Sequence, residues 1–132
     1  PDTAPTMPPA PELPTVAVES FAGVTVARLL DKRVLGVRVA AMFDDVLLPL
    51  AESLGDGTLV LDFSKVAYFG SDSFGRLVEL GRTVRRVGGA LVLCHVSRDI
   101  RAVFRVTRLD TWFDIAEDLA TAIGSNRPTE PG

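Results

Sequence analysis

The chain has 132 residues, 47% hydrophobic and 23% charged, with a formal net charge of −3. That length suits one domain of ordinary size, the charge leaves no overall nucleic-acid footprint, and no apolar run approaches the roughly 20 residues that cross a bilayer. Cys94 is the single cysteine and His95 the single histidine, so an internal disulfide is impossible and neither a CxxC pair nor a second histidine exists to build a zinc site. The expectation is a soluble cytoplasmic domain with no metal and no cofactor, neither binding nucleic acid directly nor inserting into a membrane.

Residues 1–14 begin on Pro1 and hold six prolines without apolar periodicity. They read as a disordered arm or linker trimmed from a longer protein. Val16–Val18 and Val24–Leu29 are short β-branched runs about Ala22-Gly23, which predicts a hairpin. Val39, Met42, Phe43, Val46, Leu47, Leu50 and Leu54 follow helical spacing up to Gly55-Asp56-Gly57. Pro49 is expected to kink that helix, because it lacks an N–H and its ring crowds the carbonyl of Asp45.

Leu59–Phe63 is apolar with one acid, as in a strand covered on both faces. Phe74, Leu77, Val78, Gly81 and Val84 form the next helical stripe, stopped by Gly88-Gly89, and Ala90–Val96 is another buried strand. Ser97 is positioned to cap a short helix over Ile100, Val103 and Phe104. Trp112–Ala116 suggests a last strand anchored by Trp112 and Phe113, and Leu119–Ile123 a last short helix; residues 125–132 read as a tail. The predicted order is β-β-α-β-α-β-α-β-α, with an ordered domain over 15–124. Alternating elements imply right-handed crossovers, hence an α/β fold with a mostly parallel mixed sheet of about 4–5 strands and about 4 helices mainly on one side.

Between the third strand and its helix lies Tyr68-Phe69-Gly70-Ser71-Asp72-Ser73-Phe74-Gly75, at the carboxyl end of a central strand, where α/β sheets usually meet ligands and partners. Gly70 and Gly75 have the spacing of a phosphate-binding loop, but Arg76 and Leu77 stand where that loop needs lysine and a magnesium-binding hydroxyl. Ser71–Gly75 approximates a nucleophile elbow without its first glycine; a small serine hydrolase using Ser71 or Ser73 with His95 is the rival from a different class. In the third reading Ser71 precedes the helix and caps it, or is a phosphate acceptor whose phosphate the helix N-terminus stabilises.

In their order and spacing, Leu59–Ser64, Gly70–Gly75, Gly88-Gly89, Leu91–Cys94 and Thr107–Ile115 together resemble the STAS domain family, the anti-sigma factor antagonists and their relatives. The similarity spans about Val24–Ile123. It implies a non-catalytic protein-binding regulatory module whose partner is an anti-sigma factor or serine kinase, with Ser71 as the phosphorylated residue. The family's loop reads D-S-S-G; here Gly70 replaces the Asp, Asp72 the second Ser and Ser73 the Gly. A carboxylate about 4 Å from an incoming phosphate opposes it by on the order of 1–4 kcal/mol, so Asp72 disfavours the phosphorylated state or partly mimics it. The implied contact surface comprises Gly70, Ser71, Asp72, Ser73, Phe74 and Arg76, with Asp31 and Arg33 on its rim. A STAS module of a transporter or larger signalling complex, without the switch, is the rival within the fold.

Among the remaining residues, Cys94 reads as a small buried hydrophobe, and His95, next along the strand, faces the other side or the strand's end. From Ser71 to Arg108 eight arginines stand against three acids. Arg98, Arg101, Arg105 and Arg108 are spaced to share one side of a helix, a face suited to an acidic partner.

Overall fold

The structure, a computed structural model, describes residues 14–111 and 113–124. The arm over 1–13, Trp112 and the tail from 125 lie outside them. Strand β1 (Val16–Phe21) turns through Ala22 (φ 51°) and Gly23 (φ 82°) into antiparallel β2 (Val24–Leu29). Two consecutive positive φ values suit the right-handed twist of a two-residue hairpin, as the sequence predicts.

From β2 the chain makes a two-residue strand, β3 (Arg33–Val34), and then a helix in three parts. These are α1 (Val37–Val39), a π-helical segment (Ala40–Leu47) and α2 (Leu48–Glu52). In the π segment the hydrogen bonds close five residues apart, and the Leu48 N–H accordingly reaches the Phe43 carbonyl. Pro49, the second residue of α2, follows closely on this segment, so its missing N–H falls where the hydrogen-bond register changes from π to α.

Strands β4 (Thr58–Asp62), β6 (Ala90–Cys94) and β7 (Asp114–Ala116) join β1 and β2 in one sheet, ordered β1-β2-β4-β6-β7 and parallel from β2 onward. A second small sheet pairs β3 with β5 (Tyr68–Phe69). The helices α3 (Ser71–Arg86), α4 (Arg98–Thr107) and α5 (Leu119–Gly124) complete the order.

Alternation along the strands divides the core in two. Leu59, Leu61, Leu91 and Leu93 face α1–α4; Val60, Val92 and Cys94 face α5 alone. The larger side carries a chain of edge-to-face phenylalanines, Phe43, Phe69, Phe74, Phe104 and Phe113, with successive centroids 6.3, 4.9, 5.4 and 5.3 Å apart. The quadrupoles of such rings favour these angles and hold α3 and α4 in fixed relation.

Helix α3 buries Ser73, Leu77, Leu80, Gly81 and Val84, positions three or four apart. The predicted stop is a Schellman cap: Gly88 has φ 91°, the Gly89 N–H reaches the Val84 carbonyl at 2.9 Å and the Gly88 N–H reaches Arg85 at 3.0 Å. Only glycine fits at 89 as well, since a Cβ there would lie 2.7 Å from the Gly57 carbonyl oxygen. Ser97 caps α4 as predicted, accepting from the Ile100 N–H at 3.3 Å. Arg108 is not part of that helix; it terminates it with a left-handed φ of 63°, so the basic stripe of α4 is Arg98, Arg101 and Arg105.

Candidate functional site

The carbonyl of Val34, at the end of β3, organises the surface around Ser71. It accepts the Gly70 N–H at 2.8 Å and the Ser73 hydroxyl at 3.0 Å, tying the start of α3 to β3 from below. A Cβ on Gly70 would sit 3.1 Å from the Leu35 Cβ and from Asp72 Oδ1, and 3.2 Å from that same carbonyl oxygen, so glycine is what lets the two segments close. Gly70, not Ser71, is the N-cap residue (φ −68°, ψ 160°), and it caps with no side chain. Ser71 is instead the first residue of the helix. The capping role expected of it is therefore absent, and its side chain is left at the surface.

Ser73 is fully buried and Gly70 is buried, so neither can touch a partner directly; they shape the surface from underneath. Phe74 is half-buried, its ring 4.9 Å from Phe69. Ser71 and Asp72 are exposed, and Asp72 supplies a negative charge in the first turn, where the helix dipole favours one.

The predicted rim is pre-paired. Asp31 accepts from Arg38 Nε and Nη2 at 2.7 Å each, a bidentate bridge that holds the start of the π-containing helix against the strand end. Arg33 lies 5.5 Å over the Tyr68 ring, and Arg76 Nη1 bridges Asp44 at 2.8 Å. Leu35, Val37 and Tyr68 stay exposed beside these charges, with Val37 86% exposed. The sequence reading omitted Val34, Leu35 and Val37 and took Tyr68 only as the start of the loop. The signal for the first three was the apolar run Val34-Leu35-Gly36-Val37, too short to show a period. An open groove lined by Asp31, Lys32, Arg33, Val37, Arg38 and Asp45 continues the surface.

The hydrolase arrangement is not assembled among the described residues. Ser73 spends its hydroxyl on Val34, and Ser71 opens a helix that covers one face of the sheet while His95 belongs to a cluster on the other. His95 has φ 57°, which breaks the strand's alternation. Its ring therefore joins Cys94 and Asp62 at the strand's end, the second of the two placements the sequence allows.

Asp62 accepts from Arg28 Nε at 3.1 Å and from the Ser64 N–H at 2.9 Å. Burial pushes its carboxyl up, but the Ser64 N–H, the Arg28 guanidinium and the Ser64 hydroxyl outweigh that and hold it below the ordinary carboxylate value. Burial, reinforced by Asp62 and Asp118, pushes the Cys94 thiol up to about 12. Unless a metal cation lies beside it, a buried thiol held in its protonated form is a poor nucleophile.

The STAS domain family model matches residues 25–122. No curated protein matches the chain in sequence. Among solved structures, an anti-sigma-factor antagonist (STAS) domain protein from Planctomyces limnophilus is 21% identical, with a TM-score of 0.68, covering 83% of this chain and 96% of that one. An anti-sigma factor antagonist from Mycobacterium paratuberculosis is 22% identical at a TM-score of 0.67, covering 88% and 96%. The Bacillus cell-fate determinant SpoIIAA in its phosphorylated form is 22% identical at 0.63, covering 85% and 99%. These likenesses are of fold.

Proposed function

The chain belongs to the STAS domain family, and on that ground we propose that it is a non-catalytic regulatory module that binds an anti-sigma factor or serine kinase and is switched by phosphorylation of Ser71. The observation that carries the proposal is the placement of Ser71: exposed at the first turn of a 16-residue helix whose start is fixed to β3 through the Val34 carbonyl. A phosphate there meets the N–H groups that an α-helix leaves without partners and the positive end of the dipole, without having to move the backbone. The similar Bacillus protein, solved in a phosphorylated form, supports a modifiable surface on this fold.

Exposed Leu35, Val37 and Tyr68 supply apolar area for docking, and Asp31, Arg33, Asp72 and Arg76 set charges around it. Gly70, Ser73 and Phe74 hold that surface in shape. Relative to the D-S-S-G pattern of the family, the carboxylate has moved from the residue before the acceptor to the residue after it. Asp72 bends back so that Oδ1 lies beside Gly70, close to where an aspartate at 70 would begin. One negative charge beside Ser71 is thereby retained, and the same charge raises the cost of adding phosphate. No described helix is long and apolar enough to cross a membrane; the proposed ATP-dependent partner would put the module in the cytoplasm.

The test is a partner capture from source cells with wild type, Ser71→Ala and Ser71→Glu, followed by intact mass after incubation with ATP and the captured kinase. The expected outcome is a partner held by wild type and Ser71→Ala, released by Ser71→Glu, with one phosphate added to wild type only. Equal capture by all three proteins, with no phosphate on wild type, would overturn the switch.

A further inference from the structure

Behind the sheet from Ser71, at the carboxyl ends of β4 and β6, lies a cluster that the regulatory reading leaves unused. Asp62 and Cys94 are register partners on adjacent parallel strands, so their side chains leave the same face side by side. His95 would ordinarily point the opposite way, but its φ of 57° turns it back, and one ligand atom from each of the three residues lies within 4.8 Å of the others. A positive φ is uncommon outside glycine, and histidine, like asparagine and aspartate, is among the residues that adopt it most readily. We propose that Asp62, Cys94 and His95 form the binding site of one zinc-class divalent cation, with a fourth position left to water or an incoming ligand.

Mixed sulfur, nitrogen and oxygen donors suit zinc, whereas magnesium and calcium require oxygen donors alone. The three sit as an open site should: Asp62 and Cys94 are buried and His95 is exposed, which gives the ion a path in. The Asp62 carboxylate is already oriented by Arg28, the Ser64 N–H and the Ser64 hydroxyl, the kind of outer partners that ligating carboxylates keep, and of its about four acceptor sites one is left for the ion. Charge also closes. With Asp118 close enough to act on Cys94, the two carboxylates and a Cys94 thiolate offset Arg28 and a divalent ion to neutrality. Binding forms the Sγ–metal bond as the thiol proton leaves to water, with no change of oxidation state. Arg28 Nε contacts only one carboxylate oxygen and its side chain is 39% exposed, so it can shift toward solvent as the ion enters.

Because the chain has one histidine and one cysteine, spectroscopy is unambiguous in the untagged protein. Titration with cobalt(II) is expected to give a thiolate-to-cobalt charge-transfer band that saturates at one equivalent and is abolished by one equivalent of zinc(II). His95→Asn is the decisive variant. Asparagine tolerates the left-handed backbone and the position is exposed, so the variant folds, and the affinity is expected to fall at least about tenfold. Cys94→Ala is expected to remove the band altogether. Absence of the band in wild type, or a band of undiminished affinity in His95→Asn, would show that the cluster holds no metal.

Discussion

The two faces of the sheet are built on different principles. Among the described residues the face under α1–α4 gathers 21 buried ones and a run of edge-to-face phenylalanines; the face under α5 has seven, most of them valine or alanine, with a charged pair at its end. The crowded face carries Ser71 and derives its rigidity from packing. The thin face gains position from Arg28, Asp62 and strand register more than from volume. A rigid platform under a modifiable residue lets phosphate change the surface alone, whereas a lightly covered corner leaves polar ligands within reach of solvent.

Truncating one residue on each face tests the contrast most strongly. Phe104→Ala, in the middle of the ring chain, is expected to cost about 3–5 kcal/mol, read from the midpoint of denaturant unfolding at unchanged slope. Val60→Ala, fully buried on the thin face, should cost on the order of 2 kcal/mol, from two lost methyl groups at about 0.8 kcal/mol each plus the cavity. Equal losses would break the comparison.

Asp62→Asn probes the electrostatic character of the thin face, with an expected loss of about 1–2 kcal/mol at neutral pH because Arg28 then has no carboxylate and is itself partly solvated. The folded-state pKa of Asp62 is lowered, so its contribution is complete above the unfolded carboxylate value near 3.8 and disappears as pH falls through the lower folded value. The difference between wild type and variant should therefore shrink below about pH 4 in acid unfolding curves. A gap that stays constant down to pH 2 would mean the effect is one of packing, not charge.

The smallest effect sharpens the description of the crowded face. Ser73→Ala removes one of two donors to the Val34 carbonyl and should cost about 1 kcal/mol, since the Gly70 N–H remains. Its informative readout is hydrogen exchange at Gly70 and in the first turn of α3, expected to speed up there and not in β4. Exchange unchanged at Gly70 would deny the Val34 carbonyl its organising role.

Much of this architecture was legible in the sequence because it rests on repeated local signals. The β1–β2 hairpin follows from its turn, α3 from five apolar positions and two glycines, and α4 from Ser97 and its stripe. The STAS fold came from the order of these pieces. What escaped was short or set by register. Two-residue strands such as β3 and β5 carry no period, and so the Val34 carbonyl that anchors Ser73 could not be foreseen. A serine before a helix is usually a cap, which points to Ser71 as the residue preceding α3, but Gly70 takes that place for reasons of close approach to Leu35. The Asp62–Cys94–His95 cluster needs a parallel pairing 32 residues apart in sequence and one backbone angle, neither written in any local pattern.

The π-helical segment over Ala40–Leu47 closes its hydrogen bonds five residues apart, so it holds one residue more than α-helical turns of the same span would. It shifts the phase of everything on one side of the extra residue, and that phase is what points Asp44 at Arg76, a few positions from Ser71. The orientation of the surface beside the switch is thus set by a count of residues as much as by their identity.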